Sequence, residues 1–493
     1  MHLRERIIKD TILYAMANYF AMGVGIFLSI VVKGILGPLG SGYFAMVKVF
    51  SSYGDLSDLG SRDAMLREVA QATGAKREDE AFRVRNVSFA FTLISAGFVV
   101  LLFIGIALFI KDPVLRKGVM IAGFLVFATQ IYNFMITYLR VLKKIFTLST
   151  VIVVNIIGVA LCSIVGAYGA GVIGLVSGLV VSTSLAAFFA YGLSKTRIGV
   201  CLDARETFRL VRIGFPLVVS GYALNIFLSI DTIMIGKMIG YTQLGFYTIA
   251  LMSIQQINSL GRFAQIILQP HIQEKYGQTG NLRDSKSLFV KSTRVLIYVL
   301  PLIIAMVFYG VPVIVHYFLP KFNDGLSSMR ILVTAFYFVA VNEMSGSVLF
   351  TINKQARMIP IIAGMILIAI GLNYAFIAVW KNIEAVALAT TLAYFLYFSI
   401  FFCYAFRYLM AKAELMRTVL VVIGIFCYMS VLLHGIEYFV HFQNPIAGSI
   451  AKFFVFLCFF SPFFFYFEKH DGVLKTVASV FLKKLKEIFC GRH

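Results

Sequence analysis

Lys48, Ser51, Ser52, Asp55, Asp58 and Arg62 recur in steps of three and four inside an otherwise apolar stretch. At that spacing they predict one shared helical face. A second stripe, Gln255, Asn258, Arg262, Gln265 and Gln269, has the same rhythm. Such residues do not face lipid cheaply, since a charge at mid-bilayer costs roughly 2.5–3.5 kcal/mol on insertion scales. The chemistry they offer is binding rather than bond-making. Lys48 and Arg262 supply fixed positive charge, and a guanidinium can hold phosphate oxygens bidentately. Lys33 and Lys237 end two apolar runs, either as a cationic collar or as side chains reaching toward headgroups. Asp231 and Glu343 lie within apolar runs, where a carboxylate that gains and loses a proton can couple movement to an ion gradient. Asp55, Asp58 and Arg62 suit either that coupling or an ion-pair gate. His434 and Glu437 fall near the end of another run, where a solvated interfacial position is expected.

The elements that must carry these residues follow from composition. The chain has 493 residues, 60% hydrophobic and only 14% charged, with mean hydropathy +0.88. A soluble domain needs more charge than this to cover its surface. Apolar runs of spanning length recur throughout, and in hydrocarbon only helices satisfy their own backbone within one segment. The short alternating segments of a β-barrel are absent. The fold class expected is therefore an all-α polytopic membrane protein of about fourteen spans. The first is Ile12–Leu36 and the second, bearing the first stripe, is Gly40–Met65. The seventh is Ile213–Ile239, the eighth Leu244–Leu268 and the tenth Met329–Phe350. Thr418–Phe439 and Ile446–Phe467 are the last two.

The net charge of +21 invites a nucleic-acid reading, but the basic residues sit in short clusters between apolar runs. Roughly three quarters of the Lys and Arg fall in loops on the side of the N-terminus, so the positive-inside rule places both termini in the cytoplasm. After Glu468, apolar residues at helical spacing flanked by lysines predict an amphipathic tail on the inner leaflet, drawn to its lipids. The six cysteines lack the spacing of a metal site. No Walker loop, HExxH or G-x-S-x-G occurs, so neither an enzyme nor a cofactor is expected.

The chain also repeats itself. IFLSI occurs at Ile26–Ile30 and at Ile226–Ile230. Gly37, Gly42, Tyr43 and Phe44 are then matched by Gly240, Gly245, Phe246 and Tyr247. The same offset aligns Ser52 with Gln255, Asp55 with Asn258 and Arg62 with Gln265. An even repeat keeps its orientation, so two parallel six-helix lobes are expected, 1–195 and 213–406. Residues 196–212 would link them on the cytoplasmic side, 418–467 would add two spans, and 468–493 would form the tail. The matched stripes predict a wet cleft between lobes, or else a dry seam held by polar side chains. Gly174 and Gly178 form a GxxxG read as helix packing.

Gly37-Pro38, Gly42-Tyr43, Asp58-Leu59-Gly60 and Arg67-Glu68 resemble the opening of Wzx-type polysaccharide (O-antigen) flippases. Gly214-x-Pro216, Asp231, Gly236 and Leu244-Gly245-x-Tyr247 resemble their second half. These belong to the multidrug/oligosaccharidyl-lipid/polysaccharide exporter superfamily. The resemblance implies two bundles forming a V with two further helices. It implies a polyprenyl-diphosphate-linked glycan as substrate, moved from the inner to the outer leaflet of the cell inner membrane, with a cationic cavity, proton or sodium counter-transport, and polysaccharide polymerase machinery as partner. Many relatives carry a basic residue after the aspartate of the seventh span. Thr232 stands there instead, so either Lys237 or Arg262 takes that role here or the substrate differs. A multidrug exporter, a lipid II flippase and a membrane-embedded glycosyltransferase remain as rivals. Short outer loops speak against the last, and the basic residues in both stripes against the first.

Overall fold

A run of twenty apolar residues is long enough to cross a bilayer as a helix, and this chain has turned nearly all of its runs into helices. The computed structural model describes residues 2–196, 198–258, 282–352 and 354–471, and no strand occurs among them. Ten of the described helices are long and apolar enough to span a membrane. Two have double length, α1 (His2–Gly54) and α5 (Ile145–Ser194). Unbroken, each would measure about 75–80 Å, far beyond the hydrocarbon core of roughly 30 Å. Gly37, at φ 65°, breaks α1, and Ala170 with Gly171, at φ 58°, breaks α5. Counting both halves of each, together with the segment 204–238 (bent by 53°) and a helix over 241–258, gives the expected fourteen. The protein is thus a multi-pass membrane protein. Large apolar side chains stand out from it, Leu101 at 69%, Phe188 at 77% and Phe109 at 88% exposure. Lipid, not water, is the solvent that tolerates these.

Two compact units emerge. One comprises Met1–Thr248 with Ile362–Val386, the other Ile249–Ile361 with Ala387–His493. The first contains α1, α2 (Ser61–Gly74), α3 (Glu78–Leu108), α4 (Pro113–Val141), α5, α6 (Ala204–Phe227) and α7 (Ile230–Met238), and the start of α8 (241–258). Its main core joins α2 to α5 through Met65, Val84, Phe134, Leu139 and Val151. The halves of α5 pack on each other closely. A Cβ on Gly174 would strike the Gly166 carbonyl, and one on Gly178 the Cys162 carbonyl, so the GxxxG is a packing seam. Local chemistry sets the helix starts. Asp112 caps α4 by accepting from the N–H groups of Val114 and Leu115, both at 2.9 Å, with Pro113 in the first turn. Asp203 caps α6 through Arg205 and Glu206.

The second unit holds the rest of α8, α9 (Lys286–Phe318), α10 (Leu326–Val341), α11 (Glu343–Thr351), most of α13 (Ile383–Phe406), α14 (Lys412–Phe439) and α15 (Pro445–Asp471). Between α9 and α13, α12 (Met358–Trp380) begins in this unit and continues in the first. Buried aromatics hold α10 at its centre. Phe338 lies 4.4 Å from Phe426 of α14 and 5.4–5.5 Å from Phe395 and Phe398 of α13 between ring centroids.

Three of the expected spans need correcting. Gly40–Met65 is not a single helix. α1 ends at Gly54, Asp55–Asp58 form a 3-10 turn, and Leu59 (φ 45°) and Gly60 (φ 81°) turn left-handed before α2 begins. Gly60 is needed there twice over. Its φ suits glycine, and a Cβ on it would collide with the backbone of Gly214 in α6. Arg62 therefore does not continue the Lys48 face. The seventh and tenth spans are broken too, at 228–229 and at Asn342, which puts Asp231 in the first turn of α7 and Glu343 in that of α11.

Candidate functional site

Gly37 and Gly240 both have positive φ, 65° and 125°. A Cβ on Gly42 would run into the Tyr241 carbonyl, and one on Gly245 into the Pro38 carbonyl. Residues 38 and 42 thus meet 241 and 245 reciprocally, as a local two-fold axis requires. The Tyr43 ring stacks on Tyr241 with centroids 4.3 Å apart, and the Tyr43 hydroxyl donates to Asp112 at 2.7 Å. A second backbone contact joins Gly60 to Gly214. There Arg209 of α6 bridges Glu68 of α2 at 2.7 Å and Glu206 at 2.6 Å. Arg83 is paired with Asp203 beside it.

Between these contacts α1 carries its polar residues. Lys33, half-buried, donates from Nζ to Thr248 Oγ1 at 3.0 Å. Lys48 is exposed and has no hydrogen-bond or ion-pair partner among the described residues. Lys48 acts electrostatically on Lys33. Asp231 is buried at 2% exposure. Its carboxylate accepts from Tyr247 at 2.7 Å, and from the Thr232 amide and hydroxyl at 2.7 and 3.3 Å. The hydroxyls of Tyr53 and Ser229 are 2.7 Å apart, with Asp231 within electrostatic reach of Tyr53. Ser52 turns back to the Val49 carbonyl.

At the end of α1 the turn gathers a second group. Arg62 lies 3.6 Å from Asp58 and donates to Gln130 at 3.2 Å, while Gln130 donates to the Asp55 carbonyl and to Ser57. Asp58 Oδ2 is buried without a hydrogen bond. Asp55, Asp58, Arg62 and Asp63 all act electrostatically on Tyr222 of α6. The unpaired Lys48 and the half-satisfied Lys33 can hold an anion. The Asp58–Arg62 pair, at 3.6 Å, is a long ion pair with its carboxylate buried, so parting it requires water or another partner to reach Asp58.

Lys237 is exposed in the last turn of α7. In the second unit, Gln255 is exposed and Asn258 half-buried, and Glu343 is half-buried within electrostatic reach of Tyr397. Arg262, Gln265 and nearly all of the 468–493 tail lie outside the described residues. Sequence reasoning missed Gln130, Tyr53, Ser229, Tyr222 and the Glu68–Arg209 pair as members of these groups. Gln130 alone left a signal, a lone amide in an apolar run. Glu437 is not freely solvated as expected. It lies between Arg330 at 2.6 Å and Lys452 at 2.8 Å, partners that sit on other helices.

Comparison places this arrangement among known folds. The structure is similar to the lipid II flippase MurJ in an inward closed conformation, at 15% identity, with 92% of this chain and 99% of that one covered and a TM-score of 0.66. It is similar to an inward-facing multidrug resistance MATE transporter of the MOP superfamily, at 15% identity, 82% and 95% coverage and TM-score 0.62. A MOP superfamily transporter from Pyrococcus furiosus, described as having a binding pocket of reverse polarity, matches at 15% identity, 83% and 96% coverage and TM-score 0.59. No curated protein matches the chain in sequence. Identities this low establish a shared fold and nothing further. The family model described as polysaccharide biosynthesis protein matches residues 31–325, more than half of the chain, and the chain belongs to that family.

Proposed function

We propose that the protein is a flippase that carries a polyprenyl-diphosphate-linked oligosaccharide from the inner to the outer leaflet of the cytoplasmic membrane by alternating access. The observation that carries this reading is Lys48, which has no hydrogen-bond or ion-pair partner among the described residues and acts electrostatically on Lys33 of the same helix. Unpaired ammonium charge within a membrane protein is unfavourable unless an anion offsets it. A diphosphate supplies that offset, whereas a cationic drug would be repelled. Membership in a polysaccharide biosynthesis family supports a glycan as the cargo.

In this reading Lys33 and Lys48, with Lys237 and Arg262, hold the diphosphate. Ser52, Gln255, Asn258 and Gln265 offer hydrogen bonds to the sugar. The prenyl tail stays in lipid. The two glycine contacts, Gly42 with Gly245 and Gly60 with Gly214, part in turn. Asp55, Asp58 and Arg62 act as a gate at the second of them. Asp231 or Glu343 takes up the coupling ion. A ligand drives such a cycle only through its difference in affinity for the two states. No bond is made or broken in this scheme, so the protein is a transporter and not an enzyme, with both termini in the cytoplasm.

The test is deletion of the gene, followed by location of the lipid-linked glycan. The reading expects loss of surface polysaccharide and build-up of the glycan lipid in the inner leaflet, reversed by the intact gene. Normal surface polysaccharide with no such build-up would overturn it.

A further inference from the structure

At one end of the second unit a cavity of about 230 Å³ opens between α9, α10, α14 and α15. Tyr309, His316, Arg330, Glu437, Ser449 and Lys452 are among the residues lining it. Two cations share one carboxylate there. Arg330 donates to Glu437 Oε1 at 2.6 Å and Lys452 to Oε2 at 2.8 Å. One positive charge is left without a counter-charge among the lining residues. The Nε–H of Arg330 is buried and has no acceptor among the described residues. Its guanidinium lies over the Phe308 ring, 5.5 Å from the centroid. That stacking holds the plane in place but does not satisfy the Nε–H. A buried donor left unmet is costly, and more so when charged. α15 begins at this cavity and adds the positive end of its dipole.

The depth of the cavity in the membrane is marked by its neighbours. Tyr317, Phe318, Tyr438, Phe439 and Phe442 are exposed around it. Amphipathic and aromatic side chains collect at headgroup level. A surplus positive charge at that depth meets the phosphates of the leaflet.

We propose that this cavity is a binding site for the phosphodiester of an anionic membrane phospholipid, separate from the Lys33–Lys48 site in the first unit. The phosphate oxygens accept from Lys452 and from the part of the Arg330 guanidinium that Glu437 otherwise occupies. The acyl chains lie along the lipid-facing side of α9 and α15. Glu437 is the internal competitor, because it occupies the same cations when the lipid is absent. Binding would tie the last two spans, which stand outside the repeat, to the α9–α10 pair through a lipid.

The full-length protein, purified in detergent and stripped of lipid, provides the test. Dioleoylphosphatidylglycerol, dioleoylphosphatidylcholine and inorganic phosphate are added in parallel, and retention is read by native mass spectrometry alongside the shift in melting temperature. Phosphatidylglycerol should be retained at least about tenfold more strongly than phosphatidylcholine, as charge-assisted hydrogen bonds allow. Inorganic phosphate should compete only weakly. Arg330→Gln with Lys452→Gln should remove that preference. Because that variant also strands a carboxylate, Glu437→Gln is the second arm, and it should strengthen phosphatidylglycerol retention by freeing both cations. Equal retention of the two lipids, full competition by inorganic phosphate, or weaker retention in Glu437→Gln would each overturn the proposal. The last result would mark the triad as a structural clasp.

Discussion

A side chain on Gly42 or Gly245 has no room, because a carbonyl from the matched segment of the repeat already fills the space. Gly42→Ala should lower the thermal stability of the detergent-solubilised protein by about 1–3 kcal/mol, the usual cost of overpacking. Gly74→Ala, where nothing lies within 4 Å of the added carbon, should leave it unchanged or raise it slightly through helix propensity. Equal melting of the two variants would argue against the close backbone contact. Asp231 makes a second prediction at this scale. Tyr247→Phe removes the 2.7 Å hydroxyl bond to a buried carboxylate and should destabilise by about 1–3 kcal/mol, with the largest loss of hydrogen-exchange protection in α7. A loss spread evenly over the molecule would contradict the local account.

At the scale of elements, the start of α6 is held by charge. The hydrogen bond from Arg83 to Asp203, aided by the N–H groups of Glu206 and Arg205, keeps the Asp203 carboxyl below the ordinary carboxylate range. A depressed folded-state value means that its stabilising contribution is fully present above the unfolded value, near ~4. That contribution is lost as pH falls through the lower folded value. Exchange at residues 204–208 should therefore rise below about pH 4, and Asp203→Asn should show the raised rate already at neutral pH. Flat exchange across that range would refute the cap. How much of this was legible in the sequence differs from element to element. The glycines at 37, 42, 240 and 245 were visible because the repeat aligns them; the positive φ of Gly37 and Gly240 and the reciprocal contacts of Gly42 and Gly245 follow that alignment. The break at Leu59–Gly60 was not visible as a break. Gly60 packs there against the backbone of Gly214, far along the chain, and no local pattern encodes such a contact. The spacing of Arg62 from Lys48 fits a helix as well as it fits a turn. Glu437 was misjudged for a similar reason, since Arg330 and Lys452 reach it from other helices.

For the whole molecule, composition and hydropathy were sufficient for the membrane class, and the positive-inside rule makes a further prediction. In a background lacking native cysteines, Asn444→Cys should react with a membrane-impermeant maleimide in intact cells. Gly74→Cys should react only after the membrane is opened. The reverse pattern would invert the proposed direction of transport. The central claim is that positive charge on α1 holds the anionic headgroup of the cargo. It is tested most directly by the rate at which purified protein in vesicles moves a fluorescent polyprenyl-diphosphate glycan between leaflets. Lys48→Ala should slow that rate at least about tenfold, a loss near 1.4 kcal/mol, and Lys48→Arg should recover most of it, with both variants folded as judged by melting. Undiminished movement in Lys48→Ala would contradict the account.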